Sequence, residues 1–174
     1  MSSTPAPLPP AERVFVAANR WALVVLMGVM ATLVIANVIS RYAFSHSFPW
    51  VEEATRYMMI WAAFLGAGPA LRVGGHIAVD TLLGALPQRA AQSLRWVLVV
   101  IMGATLLAMI WLGIDYVAFA WEQESPVLGW SLGKVYLAIP VGSALMLAHL
   151  ALVSPRWTVL GQWEQVDGFD PQAL

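Results

Sequence analysis

The residues able to do acid–base or ligand chemistry are few and crowded together. Of 174 residues, nine are Lys or Arg, ten are Asp or Glu and three are His. Positions 37 to 80 alone hold Arg41, Arg56, Arg72, Asp80, the adjacent carboxylates Glu52 and Glu53, and the histidines His46 and His76. On a helix, Glu52 lies four residues from Arg56 and Glu53 three, so either carboxylate can pair with that arginine on one face. No catalytic constellation emerges. The histidines are scattered rather than set at zinc-ligand spacing. There is no cysteine, hence no thiolate ligand or nucleophile. No G-x-x-x-x-G-K-[ST] loop is present to cradle a phosphate. A haem held by His76 and His149 is the one cofactor arrangement worth weighing. It needs both rings inside facing helices, and His76 follows Gly74-Gly75 outside a span. The expectation is no catalytic residue, no cofactor and no metal.

The composition says where such residues must sit. The chain is 60% hydrophobic and 11% charged, against about 25% charged in soluble domains. That balance predicts an all-α integral membrane protein. The net charge of −1 gives no basic surface for nucleic acid.

Residues 1–12 hold four prolines and read as a disordered tail. Residues 21–40 carry no charge, and twenty helical residues span about 30 Å, the thickness of the hydrocarbon core. Asn37 near its exit sits at the interface or bonds a neighbouring helix. A second helix is expected from about 49 to 72. Pro49 and the two glutamates suit its first turn, Gly66, Ala67 and Gly68 form a small-residue patch, and Pro69 kinks its end. From Ile77 to Arg95, apolar Leu82, Leu86, Ala90 and Leu94 recur every four residues, which predicts a short amphipathic helix in the membrane interface, bent at Pro87. The third span is Trp96–Ile114, with an extension to about Trp121. Turn formers fill 122–134, and the fourth span runs from Val135 to about Val153. The expected plan is four transmembrane helices plus one interfacial helix in a single domain, 13–157, followed by a polar tail, 158–174. Arg13, Arg20, Arg72, Arg89, Arg95 and Arg156 fall on one side, and Arg41, Arg56 and Lys134 on the other. The richer side should be cytoplasmic, with both termini.

Ionisable groups within spans mark ion pathways, and here the charge-free cores hold only His149. Matching broken helices, the usual sign of a transport site, are also missing. The chain therefore reads as a component of a larger membrane assembly.

Residues 20–153 resemble the small, DctQ-like membrane subunit of TRAP (tripartite ATP-independent periplasmic) transporters. The resemblance rests on Asn37 with Arg41-Tyr42, Trp50-Val51-Glu52-Glu53, Arg56, Trp61, Phe64-Leu65-Gly66-Ala67, Arg72, His76-Ile77 and Val79-Asp80. It continues through Ser125-Pro126-Val127-Leu128 and Tyr136 with Ile139-Pro140-Val141-Gly142. It implies a bacterial inner-membrane accessory subunit rather than an enzyme. Such a subunit scaffolds a large transmembrane subunit, helps receive a periplasmic substrate-binding protein, and serves sodium-coupled import of an organic acid. A haem-carrying electron carrier and a stand-alone small transporter are the other readings. The candidate contact residues are Arg41, Trp50, Glu52, Glu53, Arg56, Gly66, Ala67, Gly68, Arg72, His76 and Asp80. For Glu52, Glu53 and Arg56 the alternative is a solvated first turn. For Arg41 it is a headgroup anchor, and for Arg72, His76 and Asp80 an ordinary turn.

Overall fold

The computed structural model describes residues 9–73, 83 and 86–160. Its elements are all helical: α1 Pro10–Phe44, α2 Pro49–Arg72, α3 Gln88–Ala120, α4 Leu132–Tyr136 and α5 Ala138–Leu160. Pro9 caps α1 and Pro10 opens it, where a missing N–H costs nothing. Helix therefore begins inside the stretch expected to be tail. The left-handed Ser45 (φ 51°) ends α1, and its N–H returns to the Ser40 carbonyl.

Three segments are long and apolar enough to cross a membrane: α1, α3 and Leu132–Val159. α2 falls short of that standard, because three charges occupy its first two turns and only Tyr57–Leu71 is charge-free.

The second half of the expected interfacial helix is corrected. Gln88–Arg95 is the first part of α3, continuous with the third span to Ala120. Pro87 is the N-cap rather than a bend. Nothing between Gln88 and Trp96 breaks the helix, and its apolar face is covered by protein. Ala91, Leu94 and Leu98 pack with Leu83 against Val153 and Trp157 of α5. Most of residues 77–85 lie outside the described residues.

The long helices form a row. α1 packs on α2, α2 on α5, and α5 on α3, while α1 and α3 share little. The apolar sides of α1 and α3 are correspondingly exposed, with Val25, Ile35 and Ile39 on one and Val100, Trp111 and Leu112 on the other. Burial centres on α2 and α5, where Leu71 of α2 and Leu150 of α5 make one core cluster with Leu106 of α3. Close approach there requires glycine. A Cβ on Gly142 of α5 would stand 2.5 Å from Cβ of Phe64 on α2.

Candidate functional site: a buried polar network and an outer charged collar

Near one end of the row, polar side chains from three helices meet in an apolar surround. Glu12 and Arg72 are buried and form an ion pair joining α1 to α2. Arg156 of α5 approaches the other Glu12 oxygen at 3.6 Å. His149 of α5 is 0% exposed. Its Nδ1 lies 3.4 Å from Arg72 Nη1, and its Nε2 lies 3.2 Å from Nδ2 of Asn19 on α1. The Phe15 ring packs on the imidazole at 4.6 Å.

Asn19 also donates to the Leu65 carbonyl at 3.1 Å. That carbonyl would ordinarily accept from the N–H of residue 69, and residue 69 is proline. Asn19 thus supplies across the helix pair the bond that Pro69 removes, since an unmet backbone carbonyl is costly in hydrocarbon. The same need arises at Pro155 in α5, where Ser154 Oγ reaches the orphaned Ala151 carbonyl at 3.4 Å.

Gly68 faces this network. A Cβ there would lie 2.3 Å from His149 Cδ2. Of the expected small-residue patch, Gly68 alone is demanded by close packing: the nearest atom to a Cβ on Gly66 is 3.8 Å away, an ordinary contact. Arg72 was expected to steady the turn toward His76 and Asp80. Among the described residues it reaches Glu12 and His149, while His76 and Asp80 lie outside them.

At the opposite end the expected Glu52–Glu53–Arg56 cluster is divided. Glu52 pairs with Arg41 at 2.7 Å, both side chains being more than half exposed (58% and 52%). Arg41 also donates to Ser47 Oγ at 3.1 Å. Arg56 is exposed and forms no ion pair among the described residues. Glu53 turns inward and is 5% exposed. One carboxylate oxygen accepts from Tyr57 Oη at 2.6 Å. The other accepts the backbone N–H groups of Val127 and Leu128 at 3.1 and 2.8 Å. Burial alone would raise its pKa, but the bonds from Tyr57, Leu128, Val127 and Ser125 outweigh that and hold the carboxyl below its ordinary value.

The turn that Glu53 grips is itself closed by Ser125. Its N–H donates to the Trp130 carbonyl at 2.8 Å, and its Oγ accepts the Trp130 N–H at 3.1 Å. Gly129 supplies the left-handed φ of 63°. Asn37 Oδ1 accepts the Phe48 N–H at 2.8 Å, fixing the entry to α2. Trp50 stands exposed beside Phe48.

Glu12, Phe15, Asn19 and His149 were not among the candidate contact residues, whereas Arg72 was. Glu12 fell within the expected tail, and Asn19 lay two residues outside the charge-free stretch, beyond Arg20. The one local signal was Pro69, which demands a donor from elsewhere.

The arrangement is turned inward. Buried charges and polar groups are directed at the chain's own helices; both groups beside the His149 ring are N–H donors, so a neutral imidazole accepts from one of them only. Residues 30–156 match the family profile described as tripartite ATP-independent periplasmic transporters, DctQ component. The chain belongs to this family of TRAP transporter small permease subunits. It is a bacterial multi-pass membrane protein of a transport family, not an enzyme. It is 30% identical over 125 residues to the ectoine TRAP transporter small permease protein TeaB of Halomonas elongata, covering 70% of this chain and 65% of that one. A putative TRAP transporter small permease protein of Haemophilus influenzae is 30% identical over 129 residues, covering 72% and 78%. The C4-dicarboxylate TRAP transporter small permease protein DctQ of Rhodobacter capsulatus is 29% identical over 133 residues, covering 71% and 57%. The chain thus spans just under two thirds of TeaB and somewhat more than half of the Rhodobacter protein.

Proposed function

We propose that this chain scaffolds a large transport subunit for sodium-coupled import of an organic acid, and that it lacks a transport site of its own. The observation that carries this reading is the spending of Glu12, Arg72, His149 and Glu53 on internal contacts within a row of helices. An ion pathway needs ionisable groups facing a cavity. Such a row instead offers broad apolar faces to lipid or to another membrane protein.

A relative supports the association. The isethionate TRAP transporter permease protein DctMQ of Oleidesulfovibrio alaskensis is 32% identical over 104 residues, which amount to 16% of its length. There a segment like this one is part of one much longer permease chain. The printed substrates of the relatives differ, namely ectoine, a C4-dicarboxylate and isethionate, so specificity is assigned to other subunits.

In this reading α2 is the fourth span. At 24 residues it measures about 36 Å, and its charged first turns sit at the outer interface. Both termini are cytoplasmic, and the 45–48 and 122–131 segments face the periplasm. Trp50 and Arg56 are assigned to contact with the large subunit or the periplasmic binding protein.

The test is co-expression with a large TRAP permease subunit of the same bacterium, followed by reconstitution with the binding protein. Co-purification, with uptake that requires both this chain and a sodium gradient, is expected. Uptake by this chain alone would overturn the assignment. Labelling of single cysteines at Ser45 and Ser131 from the periplasmic side checks the orientation, on a background free of native cysteine.

A further inference from the structure

We propose that the outer end of the α1–α2 seam is a binding site for a phospholipid with a primary-ammonium headgroup, a phosphatidylethanolamine. A groove there is lined by Val34, Asn37, Val38 and Arg41 of α1 and by Val51, Glu52 and Thr55 of α2. Its polar groups are ordered along the membrane normal as a phospholipid's are.

Val34, one turn further into the membrane than Asn37, and the neighbouring Val38 supply the apolar part, suited to an acyl chain. Asn37 comes next. It is 6% exposed, its Oδ1 is occupied by the Phe48 N–H, and its Nδ2 has no hydrogen-bond partner among the described residues. Asn37 lines the groove, and there the glycerol ester carbonyl can accept from this free amide donor. Arg41 lies four residues on, about 6 Å along the axis. It is the first charge after the apolar run, so it sits at phosphate level. Its bonds to Ser47 and Glu52 use Nη2, leaving Nη1 and Nε to donate to a phosphate. Glu52 uses Oε1 on Arg41, which leaves Oε2 to accept from an ammonium. The paired charges are thus complementary to a headgroup that carries both signs. A phosphatidylcholine matches the phosphate but has no N–H to donate, and a phosphatidylglycerol has no cation. The inference rests on the membrane placement of α1 and not on the transport role, so either can fail without the other.

The test is native mass spectrometry of the full-length chain, released from detergent in the presence of equimolar phosphatidylethanolamine, phosphatidylcholine and phosphatidylglycerol of matched acyl chains. Retention of the ethanolamine lipid should exceed the other two by roughly five- to tenfold, the scale of one charge-assisted hydrogen bond. Glu52→Gln should bring the ethanolamine and choline lipids to parity. Arg41→Gln should lower retention of all three. Both side chains are exposed, so unchanged helicity and melting temperature are the controls. Equal retention of the three lipids by the parent chain, or a preference that survives both substitutions, would show bulk lipid contact only and overturn the site.

Discussion

Gly68 and His149 are one unit at the level of single residues. The imidazole occupies the space a side chain at 68 would need. Gly68→Ala is expected to destabilise the chain by about 1–3 kcal/mol, as overpacking does. Thermal unfolding of the detergent-solubilised protein checks it, and His149→Ala in the same background should return part of the loss. The Glu12–Arg72 pair obeys a different rule. Removing one member of a buried pair strands the other, at about 3–5 kcal/mol, whereas apolar replacement of both costs far less. Glu12→Leu should therefore lower stability more than the double change Glu12→Leu with Arg72→Met, measured in the same unfolding assay. Neither unit could be read from the chain alone. Arg72 and His149 are 77 positions apart, and Glu12 follows a proline-rich stretch that local composition assigns to a tail.

For elements, the question is what holds one helix against the next. α1 and α2 are antiparallel neighbours tied by polar contacts along their length: Glu12 to Arg72, Asn19 to Leu65, Asn37 to Phe48 and Arg41 to Glu52. The Asn19 tie exists because Pro69 cannot donate. Pro69→Leu restores an N–H to the Leu65 carbonyl, so Asn19→Ala should cost less in that background than in the parent. A double-mutant cycle should give a coupling of about 1 kcal/mol; zero coupling would refute the compensation. Glu53 ties α2 to the 125–130 turn. Glu53→Ala should leave the helices intact and raise amide exchange at Val127 and Leu128, read by hydrogen–deuterium exchange. The sequence showed helix-favouring charges at 52 and 53, because dipole and capping rules are local. It could not separate them, since which carboxylate turns inward depends on a turn more than seventy residues later.

For the whole molecule, the apolar runs were legible because hydrocarbon thickness imposes a length on them: α1 and α3 contain the first and third charge-free runs, and the fourth, Val135–Val153, begins in α4 and continues through α5. The amphipathic repeat misled from Gln88 to Arg95, because the same spacing suits a helix lying on lipid and one packed on α5. The row order was invisible, since apolar stripes do not name their partners. It is open to test by cysteine pairs, with no native cysteine to interfere. Pairs across α2–α5 and α3–α5 should cross-link, and pairs across α1–α3 should not. The buried groups lie where three helices meet, around His149 and around Leu71, Leu106 and Leu150, while the outer faces of α1 and α3 stay exposed. Another membrane helix can be laid against either face without a packed core having to open first. The row can therefore fold completely before it assembles, and joining a partner becomes an exchange of lipid for protein along a finished surface.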